Sequence, residues 1–481
     1  MKDLMLYAVD QLHEKGAEYG DIRIGFYRNQ SLSTRDQIVS SLNDAEDSGI
    51  GIRYYRRGGW GFVSSPLISK TEIDRLIVKA AVMAEASSLG CSEPITLVPV
   101  GSYNARWSVP FDEDPFAVSN REKIDLLLAI NSEMRKVPNI HQAVSSMSFN
   151  REHKLFASTV GTVTDQLLMR AYVSYTATAV GPEGFETRSY QDMPLNEGYE
   201  HVRNAPLVEN ARRVAEEAVA KLRAADCPEK ITDLILLPSH TCLVIHETIG
   251  HATELDRVMG WEADFAGTSF ATPEKLGNFS YGSPKFNVVA DRTRQHGRAT
   301  VMFDDDGVPT QEWHLIKDGI LRGYSTTRAT ADLIGETASR GCSFADSWFN
   351  APILRMPNVS IEPGAEGSPS LSDLISGTDE GILIDGTGSF SIDHQRINFQ
   401  FGGDACWEIK HGKIGSIMRR VTYQSHNPEF WRSVDEICGL DEWQMFGVVN
   451  CGKGQPMQVA QLTHGSAPLR LRHIRIGRAR I

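Results

Sequence analysis

Residues 242–256 read Cys-Leu-Val-Ile-His-Glu-Thr-Ile-Gly-His-Ala-Thr-Glu-Leu-Asp, with His246 and His251 five residues apart. No other stretch of the chain restricts its backbone so tightly. On a regular helix, at about 100° per residue, two side chains at that spacing diverge by about 140°. If they are to act together, one turn must take in an extra residue. A π-bulge does this, and such bulges gather at functional sites. Gly250, just before the second histidine, is the natural place for unusual dihedrals. Glu247 follows the first histidine and points to a neighbouring sector. There it can take the proton of a water held at a metal without ligating the metal. The alternative is a polar helix edge with two satisfied histidines, and spacing alone does not choose.

A catalytic zinc site needs a third protein ligand. Cys451 stands in Val448-Val-Asn-Cys-Gly-Lys-Gly-Gln-Pro456, at a predicted strand end in a Gly-rich turn. A thiol there can face a buried ion that keeps it deprotonated. For a lone cysteine the alternative is a small buried apolar residue, and this is the preferred reading of Cys91 and Cys227. Cys242 is predicted on the strand leading into the motif. The seven cysteines are scattered without a CxxC pair, which excludes a zinc ribbon and does not suit a secreted disulfide framework.

At 481 residues the chain is too long for one ordinary core. Three units are expected: an N-terminal α+β unit (1–100), a central α+β unit (101–227) and a β-rich C-terminal domain (228–481). The fold class is α+β, with helices on antiparallel sheets first and a mostly antiparallel β domain carrying the distorted helix after it. Met1–Glu18 reads as an amphipathic helix. Ser69-x-x-Glu72 and Ser119-x-x-Glu122 are capping boxes that open two more. Strands are predicted at Asp21–Tyr27, Ser31–Ser41, His141–Phe149, Lys154–Val160, Leu167–Thr178 and Thr232–Leu237, with a linker over Ser92–Trp107. Lys317-Asp318-Gly319 and His411-Gly412 mark hairpins. Ser433–Cys438 is predicted helical.

The net charge of −12 gives no support to nucleic-acid binding. No apolar run approaches the roughly 18 residues of a membrane span, and no signal core is visible, so a soluble cytoplasmic protein is expected. Arg470, Arg472, Arg475, Arg478 and Arg480 form a basic tail, read as a solvated terminus. The run Asp304–Asp306 before Gly307 reads as a turn rather than a calcium site.

At this point a resemblance becomes visible. His246-Glu-Thr-Ile-Gly-His-Ala-Thr-Glu-Leu-Asp256, Gly267-Thr-Ser269, Asp304-Asp-Asp-Gly307, Arg355-Met-Pro-Asn358 and Asn450-Cys-Gly-Lys-Gly-Gln-Pro456 fall in the order found in the TldD/PmbA family. Gly49-Ile-Gly-Ile-Arg53 and Gly58-Gly-Trp-Gly61 resemble it more weakly. TldD-type subunits carry HExxxH and a C-terminal Cys, whereas PmbA-type (TldE) subunits lack them, so this chain resembles the TldD type.

The resemblance implies one Zn2+ on His246, His251 and Cys451, with Glu247 as general base. It implies a metallopeptidase acting on unfolded or small peptides. A protease of this design would hold its peptide in extended form, as a strand added to a sheet edge. It also implies a homodimer, or a heterodimer with a metal-free PmbA/TldE-type subunit. Ala252-Thr253 and Met259-Gly-Trp261 depart from the family pattern. They remove no ligand, but they bear on the substrate groove. The alternative is a non-catalytic metal-stabilised scaffold or a regulatory peptide-binding subunit. Glu254, and less so Asp256, are candidates to accept a hydrogen bond from an imidazole N–H behind the metal. His240 is read as a loop or capping residue, and His153, His314 and His464 receive no role.

Overall fold

A computed structural model describes residues 1–91 and 94–478 of the chain. Ser92 and Glu93 of the predicted linker, and Arg480 of the basic tail, lie outside the described residues. The architecture is α+β, with antiparallel sheets in the N-terminal part and a β-rich C-terminal domain.

One sheet organises the N-terminal half. Its strands are β1 (Tyr19–Arg35), β2 (Ile38–Arg56), β3 (Gly59–Ser65), β4 (Asn104–Ser108), β5 (Ile140–Ser158), β6 (Val163–Gly181) and β7 (Gly184–Gln191). They run in the order β3-β2-β1-β5-β6-β4, with β7 also paired to β6. The antiparallel ladder from Asp21↔Ser158 to Arg35↔Val144 joins β1 to β5, so the first two segments share a sheet. Strand β4 overlaps the end of the predicted linker and pairs with β6 in parallel.

Period-two alternation divides the faces of this sheet. Ile22, Ile24 and Leu32 of β1, with Met147, Phe149, Leu155 and Ala157 of β5, lie under helices. Lys2–Glu14 and Lys70–Ser88 cover one end of that face; Asn120–Arg135 and Leu207–Leu222 cover the other. Both predicted caps are present: Ser69 and Ser119 accept the N–H of Glu72 and Glu122 at 3.2 Å.

The other face is polar, yet much of it is buried: Asp21, Arg23, Glu152, Lys154 and Gln166 are all inaccessible. The C-terminal half covers it. Lys154 pairs with Asp305 at 2.9 Å, Arg53 pairs with Asp306 at 2.8 Å, and Gln166 donates to the Phe303 carbonyl at 3.0 Å. This corrects the predicted break between His141–Phe149 and Lys154–Val160. The polar run Asn150–His153 is continuous strand, because its alternate residues face charged partners rather than solvent. The expected turn at Asp304–Gly307 is present, with Gly307 at φ 75° and Asp304 accepting from the Asp306 and Val308 N–H groups at 2.9 Å. It is buried.

In the C-terminal half, Glu380–Ile392 pairs in parallel with Lys230–Leu236, as does Lys413–Arg419 with Ala225–Asp226, and the other strand pairs among the described residues are antiparallel. Lys230–Leu236 pairs with Leu469–Arg478, that strand with Val421–His426, and Val421–His426 with Asn398–Lys410. Asn398–Lys410 also pairs with Glu380–Ile392, closing the order on itself around a large apolar core. A separate hairpin, Gln444–Lys453 with Gln458–Ser466, packs against the helix Pro238–Ile245.

Three further expectations change. Ser31–Ser41 is not one strand but a hairpin turning at Asp36, which adopts φ 52°. Ser433–Cys438 is not helical: Asn427–Arg432 forms the helix, with Pro428 in its first turn, and Val434–Ile437 is a strand. The basic tail is solvated only in part: Arg470 is buried, Arg470 and Arg472 both pair with Asp435, and the exposed Arg478 pairs with Asp226, while Arg475 faces solvent. No helix among the described residues is long and apolar enough to cross a membrane.

Candidate metal centre

The strand Lys230–Leu236 ends at a proline, and Pro238 opens the helix Pro238–Ile245. Cys242 therefore lies on a helix, not on the predicted strand. The next five residues, His246–Gly250, form a π-turn, followed by a tight turn over His251–Thr253. The wide turn rotates the second imidazole back toward the first, and the ring centroids stand 4.6 Å apart at 78°.

Gly250 has ordinary helical dihedrals, φ −53° and ψ −61°, so the expectation of unusual dihedrals there is wrong. Its lack of a side chain serves packing instead, because a Cβ would lie 2.5 Å from Met356 Sδ.

The hairpin Gln444–Lys453/Gln458–Ser466 brings Cys451 to the same point. His246 Nε2 lies 3.1 Å and His251 Nε2 3.3 Å from Cys451 Sγ, and all three are buried. The contacts behind the rings fix their tautomers. His464 Nδ1–H donates to the Val359 carbonyl at 3.0 Å, which leaves its Nε2 to accept from His246 Nδ1–H at 2.9 Å. His251 Nδ1–H donates to Glu254 at 2.7 Å. Both Nε2 lone pairs therefore aim at the sulfur. One thiol proton can serve only one of them.

Burial, with repulsion from neighbouring His251 and His464, holds His246 well below the ordinary imidazole range. Burial does the same to His251 despite Glu254. Both rings are neutral, as ligands must be. Burial pushes the Cys451 thiol up to about 11, against the pull of Arg355. Arg355 donates to the sulfur at 2.8 Å and to the Cys451 carbonyl at 2.7 Å. A tetrahedral zinc with bonds of about 2.0–2.1 Å to nitrogen and 2.3 Å to sulfur spaces N and S about 3.6 Å apart. The donor set and its spacing fit that ion.

The surroundings are tied down. Burial opposes charge on Glu254, yet Lys453 at 3.3 Å and His251 hold its carboxyl well below the usual range. Lys453, fully buried, also pairs with Asp256 at 2.8 Å. Asp256 thus serves Lys453 rather than an imidazole. Glu247 is buried, which raises its carboxyl above the usual range in spite of Arg396 and Arg257. Arg396 donates to one of its oxygens. Asn427 bonds the carbonyls of both Thr248, at 2.7 Å, and Arg396, at 2.8 Å, locking the π-turn to the loop carrying Arg396. Gly267, at φ 90°, approaches His394 so closely that a Cβ would meet its carbonyl at 2.5 Å.

His240 stays away from this centre, held by the Gly386 carbonyl and the Tyr423 hydroxyl at 2.8 Å each. Sequence reasoning missed His464, Arg396 and the role of Arg355. Only Arg355 carried a signal, through its place in Arg355-Met-Pro-Asn358.

Comparison with known proteins places the chain in a family. Family models described as PmbA/TldA metallopeptidase domain 1, central domain and C-terminal domain match residues 20–84, 113–225 and 229–470. A metalloprotease of Methanocaldococcus jannaschii is 27% identical over 95% of this chain and 97% of its own length. A zinc metalloprotease TldD homolog of Saccharolobus solfataricus is 22% identical over 98% and 99%. Among solved structures, TldE from Thermococcus kodakarensis superposes with a TM-score of 0.72 at 18% identity, covering 99% of both chains. A Thermotoga maritima protein described as a candidate modulator of a DNA gyrase superposes with a TM-score of 0.79 at 16% identity, covering 99% of this chain and 100% of its own. With its C-terminal half and both preceding segments matched in order, the chain belongs to the PmbA/TldD metallopeptidase family.

Proposed function

We propose that this chain is a zinc-dependent peptidase of the TldD type. The observation that carries the reading is the convergence of two neutral imidazole Nε2 atoms and one thiol, within 4.8 Å of one another, beside a buried glutamate. His246, His251 and Cys451 would hold the ion, and the metalloprotease names of the relatives support a metal-dependent enzyme. When bound, zinc supplies Lewis acidity toward a peptide carbonyl and toward water.

The chain's own residues do the rest. Glu247 takes a proton from the attacking water and returns it to the leaving amine. Its raised affinity for protons suits it to that exchange. Arg396 holds the carboxylate in place, Glu254 and His464 fix the two rings, and Arg355 favours the thiolate. We take residues 1–100, 101–227 and 228–481 as the three units, and a cytoplasmic location. The substrate is an unfolded or small peptide bound in extended form. A second copy or a TldE-type subunit is the partner, and the likeness to TldE supports a paired architecture.

A metal-stabilised scaffold without activity has no need of a buried base one residue from a ligand. Replacing Glu247 by Ala tests this directly. Zinc content should stay at one per chain while peptide cleavage falls by at least about 10²–10⁴-fold. Unchanged cleavage would remove Glu247 from the reaction. A thiol mechanism at Cys451 is separated by inhibitors: phenanthroline should abolish cleavage if zinc is required, whereas a thiol enzyme would survive it and fail with iodoacetamide.

A further inference from the structure

A cavity of about 230 Å³ lies between the polar face of the N-terminal sheet and the C-terminal half. It shares a wall with the metal centre. Arg355, whose guanidinium touches Cys451 Sγ, lines it, and so does Ala460, the hairpin partner of Cys451. Five cationic side chains line it against four carboxylates. Some of these cancel: Lys154 pairs with Asp305 at 2.9 Å, and Arg170 pairs with Glu152 at 2.8 Å.

Among the described residues Arg298 has no such partner. It is 3% exposed, its guanidinium donates to the Ala171 carbonyl and the Gln461 side-chain oxygen, and it lies 5.9 Å from the centre of the Tyr172 ring. Its Nε is buried without a partner, and so is that of Arg170. The two remaining carboxylates are committed elsewhere. Asp304 accepts three backbone N–H groups, from Asp306, Val308 and Ser343. Asp346 accepts from Ser347, Asn350 and the Val459 N–H. A buried guanidinium without a counter-charge is costly unless a ligand supplies one. Burial, aided by Arg170, pulls Arg298 down to about 9, the mark of a cation short of anions.

We propose that this cavity is a carboxylate subsite of the peptide groove, in which Arg298, assisted by Arg170, grips an anionic group of the substrate. The inference rests on the peptidase reading for the nature of the ligand. Planar carboxylate matches the guanidinium fork. Two sources share that chemistry: the free C-terminus of a peptide, or an Asp or Glu side chain near the scissile bond.

The test uses one hexapeptide in four forms, free acid or C-terminal amide, each with Glu or Gln within the chain. Binding is measured by calorimetry on the zinc-loaded Glu247→Gln protein, and kcat/KM on the wild type. The proposal predicts about 10- to 100-fold weaker binding on amidation if the C-terminus is held, or on Glu→Gln exchange if a side chain is held. Arg298→Met should abolish that discrimination while zinc content stays at one per chain, and Arg298→Lys should keep part of it. If Arg298→Met does not fold, Arg298→Lys and the wild type's own discrimination decide the matter. Four peptides bound alike by the Glu247→Gln protein would overturn the subsite, as would discrimination undiminished when Arg298→Met is added to it. Because binding is read without turnover, a wild type that cleaves nothing defeats the peptidase reading alone.

Discussion

Where the N-terminal sheet meets the Asp304–Asp306 turn, buried charges face opposite charges; around Cys451, electron-pair donors face one another. At the first place Lys154 sits between Glu152 and Asp305 at 3.0 and 2.9 Å, and Arg53 between Asp21 and Asp306 at 2.6 and 2.8 Å. Asp21, Glu152, Asp305 and Asp306 each have a cation within reach. At the second, two imidazole lone pairs approach one sulfur, and the hydrogen bonds behind the rings prevent either from turning away. The carboxylates of those ion pairs are satisfied by the chain alone. On the proposed reading, the centre is satisfied by a cation supplied from outside the chain. Equal burial, then, does not mean equal purpose: what separates structure from binding is whether partners complement or duplicate each other.

The largest stability effect is expected at the interface. Lys154→Met leaves Asp305 buried without its nearest cation and should cost about 3–5 kcal/mol. Denaturant unfolding measures it, and the folded fraction should keep its full metal content. A loss of metal at unchanged stability would erase the distinction between the two regions.

The interface also predicts a pH dependence. His201 stands between Asp192 and Glu197, at 2.5 and 3.3 Å, and Glu197 continues to His296 of the C-terminal half at 2.9 Å. Burial lowers the affinity of His201 for its proton, but the two carboxylates outweigh it and lift the group to about 9 from 6.5. A value raised on folding means stability fully present below pH 6.5 and lost as pH rises through about 9. The shift corresponds to about 3 kcal/mol. Unfolding free energies across that range should decline in the wild type and flatten in His201→Phe.

The smallest effect sharpens the other side of the comparison. His464→Phe removes the acceptor behind His246 without removing a ligand. Zinc affinity should fall about 10- to 100-fold, read by competition with a chromophoric chelator, with little change in melting temperature of the loaded protein. Glu254→Gln should act alike on His251 but cost more, since Lys453 would lose a buried partner.

Much of the local structure was legible because it follows from short-range rules. The arithmetic of a five-residue spacing required a wide turn, and His246–Gly250 supplies one. Ser69 and Ser119 announced their helices through capping. Long-range facts were not legible in this way. The hydrogen bond of His464 to His246 joins residues 218 positions apart, and nothing near either one signals it. The approach of Cys451 to the two histidines was one of two readings of its Gly-rich turn, and the family resemblance chose between them. Polar strands misled for a related reason. Alternation shows that a face is polar, not whether solvent or the charges of another unit will cover it, and Asn150–His153 therefore looked like a break. Gly250 misled in the opposite direction, where a rule about dihedrals stood in for a steric demand made by Met356.

The central claim is that His246, His251 and Cys451 close on a single ion. Cobalt in place of zinc reports this directly, because a cobalt–thiolate bond has its own charge-transfer absorption. We predict one cobalt per chain, a tetrahedral spectrum and a thiolate band that disappears in Cys451→Ser. A bound cobalt without that band, or a band indifferent to Cys451→Ser, would contradict the account.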